Sequence, residues 1–75
     1  MTYQEMKMIM RSNARLVKGL VNLLVDDADQ MCIDTEDFDL FSLEEAVFEG
    51  KRTAQNLLST IDELERNLLL AKRNA

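Results

Sequence analysis

Apolar residues recur along the first third of the chain at helical spacing. Tyr3, Met6, Met10, Asn13, Val17, Leu20 and Leu24 follow a 3-4-3-4 rhythm, with Ile9, Leu16 and Leu23 one position further around. At 100° per residue, Met6 to Leu24 cover an arc of roughly 160°, and Asn13 is the polar residue in its middle. Lys7, Arg11, Arg15, Lys18 and Asn22 fall on the opposite side. Thr2 and Glu5 have capping-box spacing, so the helix is expected to begin at once. A second pattern starts at Leu43. Leu43, Val47, Gly50, Ala54, Leu57, Ile61, Leu64, Leu68 and Ala71 alternate steps of four and three, a heptad seam of about four repeats. Ser42 and Glu45 form a second capping-box pattern, and Phe41 stands where a hydrophobic staple would.

These patterns predict one helical-hairpin domain over residues 1–75: a first helix at about 3–27, an acidic connector at about 28–41 and a second helix at about 43–72. At 1.5 Å per residue the helices are about 36 and 45 Å long. A compact globule of this chain length is only about 30 Å across, so the expected shape is an elongated antiparallel hairpin. Two helices touching only each other do not cover a 160° arc. The expected fold class is therefore all-α, a hairpin that dimerises into a four-helix bundle. Its dimer core is read as Met6, Met10, Asn13, Val17, Leu20 and Leu24 with Gly50, Ala54, Leu57, Ile61, Leu64 and Leu68. Gly50 and Ala54 are the small positions that let another helix approach. Asn13, an amide at a core position, is expected to pair with its symmetry mate and fix register or oligomeric state.

Composition strengthens the case for assembly. A 75-residue chain folding alone is marginally stable, and small proteins compensate with disulfides, metals or oligomerisation. Cys32 is the single cysteine and there is no histidine, so neither an internal disulfide nor a zinc site is expected. No cofactor or metal is expected. No apolar run reaches the roughly 18 residues that span a bilayer, and MTYQEMKMIMRSNAR lacks the apolar core of a signal peptide. A cytoplasmic location is the expectation, and an unpaired cysteine agrees with it.

Charge is segregated along the chain. Residues 1–25 hold four bases and one acid, residues 26–49 hold ten acids and no base, and residues 50–75 hold five bases and three acids. In a hairpin the basic segments meet at one end and the acidic corner lies at the other. Solubility with helix-dipole matching, through Glu44 and Glu45 at a helix start and Lys72 and Arg73 at a helix end, accounts for this. Steering of a charged partner accounts for it too. The acids Asp27, Asp29, Asp34, Glu36, Asp37 and Asp39 do not follow EF-hand spacing from any start.

Two surfaces are candidates for contact with a partner. At the corner, Phe38, Leu40 and Phe41 lie among Asp37, Asp39 and other acids. DFDLF is similar to acidic-hydrophobic activation segments, and LFSLE resembles a clathrin-box peptide. The other reading of Phe38 and Phe41 is a plug for the end of the bundle. Phe48 points to the outer face of the second helix. The basic stripe of Lys7, Arg11, Arg15 and Lys18 offers phosphate contacts, in an architecture similar to that of small plasmid-encoded RNA-binding hairpin proteins. A net charge of −5 and the lack of interleaved aromatics oppose nucleic-acid binding, leaving a solvated face as the plainer reading. Without histidine, a glycine-rich loop or an evident cleft, catalysis is not expected. The expected function is a non-catalytic regulator, adaptor or inhibitor that binds itself and another protein, with no membrane contact. A dimeric RNA- or DNA-binding regulator and a chaperone-like obligate subunit of a hetero-oligomer are the alternatives.

Overall fold

The computed structural model describes residues 2–32 and 39–74. They form two helices packed antiparallel, α1 over Tyr3–Met31 and α2 over Leu40–Asn74. The hairpin measures 57 × 14 × 13 Å, with a radius of gyration of 17.1 Å. No described helix is long and apolar enough to cross a membrane.

The first helix starts as its sequence signal requires. The Thr2 hydroxyl accepts from the Glu5 N–H at 3.2 Å, and the Thr2 carbonyl accepts from the Met6 N–H at 3.0 Å. Lys7 then folds back over the Tyr3 ring at 5.1 Å, a short-range contact that covers the first turn. At its other end α1 runs past the expected boundary near residue 27 and takes in residues 28–31, expected as connector. It stops at Cys32, whose N–H is shared between the Ala28 and Asp29 carbonyls. The reason is packing. Asp27 and Met31 continue the inward stripe, and both find α2 within reach.

The second helix starts earlier than expected, at Leu40, and Asp39 is its cap. Asp39 Oδ1 accepts from the Phe41 N–H at 3.1 Å, Oδ2 accepts from the Ser42 hydroxyl at 3.0 Å, and the Asp39 carbonyl accepts from the Leu43 N–H at 3.1 Å. The Ser42–Glu45 capping box is thus replaced. Ser42 spends its hydroxyl on Asp39, and a carboxylate outcompetes it as the acceptor at the helix start. Glu44 and Glu45 lie beyond the first turn, so the dipole match there falls to Asp39. Lys72 and Arg73 do occupy the last turn of α2.

The seam between the helices differs from the expected one on one side. On α1, Met6, Met10, Asn13, Val17, Leu20, Leu24, Asp27 and Met31 are buried or half-buried. On α2, Leu43, Gly50, Leu57, Leu64 and Ala71 face inward as the heptad predicts. The alternating partners are Ala46, Thr53, Thr60 and Asn67, whereas Val47, Ile61 and Leu68 are exposed. Small residues decide this. Ala46, Gly50 and Thr53 allow α1 to come close, and a β-carbon on Gly50 would collide with the Met31 methyl group. The bulkier line at 47, 61 and 68 is turned about a third of a circle away.

Candidate functional site

Two flanks of the hairpin have different chemistry. On one, Leu20, Leu23 and Asp27 of α1 border an open cleft with Glu49, Arg52, Thr53 and Asn56 of α2. Asp27 is buried there and accepts from the Thr53 hydroxyl at 2.9 Å. That bond sets the register: Asp27 is level with Thr53. Thr60, also buried, returns its hydroxyl to the Asn56 carbonyl of its own helix at 2.9 Å.

The other flank is apolar. At 100° per residue, Val21 and Val25 lie on the side of α1 away from Leu23 and Asp27, and Val47, Leu58, Ile61 and Leu68 lie on the side of α2 away from Glu49, Arg52 and Asn56. Since the cleft gathers the second set on one flank, the first set shares the opposite one. All six are exposed, with Ile61 at 41% and Leu68 at 46%, while half-buried Ala54 lies between them. Against this, Met6, Ala46 and Ala71 are the buried apolar side chains among the described residues, and the other apolar residues of the seam are half-buried.

The residues expected to form one dimer core therefore divide. Met6, Met10, Asn13, Val17, Leu20, Leu24, Gly50, Leu57 and Leu64 line the seam within the chain, while Ile61 and Leu68 look outward. Asn13 is buried in the seam against α2. Its Nδ2 is buried without a hydrogen-bond partner among the described residues. Fourteen residues separate Asn13 from Asp27 and Asn67 from Thr53, so Asn13 is level with Asn67.

At the corner, Asp37 and Phe38 lie outside the described residues. Asp39 is committed to its capping bonds, and Leu40 and Phe41 are exposed at 72% and 65%. Phe41 does not plug the hairpin. Phe48 is exposed as well, seven residues on and on the same outer face of α2. Lys7, Arg11, Arg15 and Lys18 are exposed along the outer side of α1, beyond Val25 and next to the apolar flank. Among the described residues no cluster of three or more His, Cys, Asp or Glu is arranged to hold a metal.

Sequence reasoning passed over Ala46, Thr53, Thr60, Asp27 and Met31. Their signal was present as a second heptad line of small and polar residues at 46, 53, 60 and 67, lying beside the apolar line at 47, 54, 61 and 68. Comparison with protein-family models, with curated proteins and with solved structures finds no match.

Proposed function

We propose that this chain is a small non-catalytic regulator or adaptor that works by binding proteins, beginning with a second copy of itself in a four-helix bundle. One observation carries the reading: Val21, Val25, Val47, Leu58, Ile61 and Leu68 stand exposed along one flank of the hairpin. Covering that flank with a second copy would add stability at about 25 cal/mol per Å² of apolar surface removed from water. Two helices about 45 Å long and about 10 Å wide present on the order of 900 Å² per copy, close to the roughly 800 Å² per partner of stable interfaces.

Within this reading a further protein partner docks at the corner, on Leu40 and Phe41 beside Asp39, a place where exposed apolar residues sit next to charge. The unpaired, exposed Cys32 supports the cytoplasm as its compartment.

Sedimentation equilibrium with reductant over a wide concentration range is the test. A species of about twice the 8.6 kDa chain mass is expected, and the Ile61→Glu, Leu68→Glu double variant is expected to lose both that mass and its helicity. A folded monomer at every concentration would overturn the reading. A chain that is unfolded alone would favour an obligate hetero-oligomer. The exposed stripe of Lys7, Arg11, Arg15 and Lys18 supports a second reading, nucleic-acid binding. Binding of a labelled RNA duplex at low salt that is lost in Arg11→Glu, Arg15→Glu would favour it.

A further inference from the structure

We infer that the partner copy lies with its two-fold axis along the bundle, so that α1 of each chain packs against α2 of the other and both corners lie at the same end. This rests on the self-association proposed above and specifies its geometry. Two stackings bring the apolar flanks of two copies face to face with two-fold symmetry. In one the axis crosses the helices, so α1 meets α1 and the corners are at opposite ends. In the other the axis follows the helices, α1 meets α2 of the second copy, and residues keep the levels they have within one chain.

The charges along the edges of the flank choose between them. Lys18 borders it on α1 in the open half, and Asp29 borders it near the corner, about 20° and 40° beyond Val25 at 100° per residue. On α2 the bordering residues are Asp62 and Lys51, about 40° and 20° beyond Leu58. Counted from the Asp27–Thr53 bond, Lys18 is level with Asp62, and Asp29 with Lys51. Each step away from Asp27 on α1 equals the step from Thr53 on α2. In one chain these partners point to opposite outer sides of the hairpin and do not meet. In the lengthwise dimer each faces its opposite charge on the second copy, and the sign reverses with the position: basic against acidic in the open half, acidic against basic near the corner. The same device sets partner and orientation in coiled coils, at the charged positions flanking the apolar seam. The crosswise stacking sets α1 against α1, which places the Lys18 edges of two copies near each other at the centre. Lys7, level with Arg73, is the exception at the open end of the lengthwise pairing.

Size agrees with the charges. By the same count Ala54 comes level with Asp26, next to Val25, so a small residue meets a large one across the new seam. The dimer would carry two copies of Leu40 and Phe41 at one strongly acidic tip.

Cys32 is a ready reporter, being unpaired and exposed at the end of α1. Spin labels on the unaltered cysteine are expected within about 20 Å of each other, two helix diameters, in the lengthwise dimer. In the crosswise dimer they would stand about 45 Å apart, the length of α1 at 1.5 Å per residue. A charge-swap cycle gives a second readout. Lys18→Glu alone is expected to weaken the dimer about tenfold, since two symmetric contacts change sign, and Lys18→Glu with Asp62→Lys to restore it to within about threefold. A label separation near 45 Å without rescue would overturn the orientation and leave self-association standing. A folded monomer at all concentrations would overturn both.

Discussion

Asn13 offers a quantitative test of the seam. It is 8% exposed, and its Nδ2 has no hydrogen-bond partner among the described residues. An unpaired buried amide N–H costs about 1–3 kcal/mol. Asn13→Leu removes that cost and adds about 1.5–3 kcal/mol of apolar burial. The larger side chain subtracts about 1–3 kcal/mol if the seam resists it. Met6 and Met10 flank the position on the same stripe, and their flexible side chains can repack, which holds the subtraction towards its lower end. The net expectation is a gain of about 1–3 kcal/mol. With a urea dependence of about 1–3 kcal/mol per M, the midpoint should rise by about 1 M. The assay is urea unfolding followed by far-ultraviolet circular dichroism at several fixed protein concentrations, because self-association contributes by mass action. Asn13→Ala, which removes the amide without adding volume, should stay within about 1 kcal/mol of the parent. If both variants lower the midpoint at every concentration, Nδ2 is satisfied in solution and the account given of the seam is wrong.

The remaining predictions concern the same seam and the exposed aromatics. Thr53→Val leaves the buried Asp27 carboxylate without its hydroxyl donor and should cost about 1–3 kcal/mol in the same unfolding assay, with Thr53→Ser recovering most of it. Gly50→Ala should be neutral or stabilising by up to about 1 kcal/mol, because the Met31 methyl group that stands in the way is the free end of a flexible chain and alanine is the better helix former. Gly50→Leu, too large for that adjustment, should cost more than about 2 kcal/mol and lower the thermal midpoint. Phe41→Ser and Phe48→Ser should change stability by less than about 0.5 kcal/mol, leaving folded protein in which binding at the corner is assayed directly; a large loss would show that either ring is buried in solution.

Much of the hairpin is legible in the sequence for identifiable reasons. Both helices announce themselves by period, Thr2 by its distance from Glu5, and Gly50 by being the small residue in a line of leucines. The ends around the acidic corner are harder to read. Asp26, Asp27 and Asp29 point to a helix end near residue 27, since carboxylates oppose the dipole at a helix C-terminus, and only the hydroxyl of Thr53 reveals why Asp27 belongs inside. Asp39 reads as part of an acidic-aromatic motif, while its geometry makes it a cap. The seam on α2 is misread because hydrophobicity ranks Val47, Ile61 and Leu68 above Ala46, Thr53 and Thr60, whereas close helix packing ranks them by size. Which flank is left for a partner follows only once that choice is known.

A heptad repeat is nearly degenerate under translation: sliding one helix by seven residues along the other restores the pattern. The Asp27–Thr53 hydrogen bond only half removes the degeneracy. After a slip in one direction Asp27 meets Ala46, but after a slip in the other it meets Thr60, which also carries a hydroxyl. Gly50 removes the rest. Either slip puts Leu57 or Leu43 where Gly50 now receives the Met31 side chain, and neither leaves room for it. A position with no side chain at all thus works as the index mark of the hairpin, and the vertical alignment of every charge along its edges is referred to it.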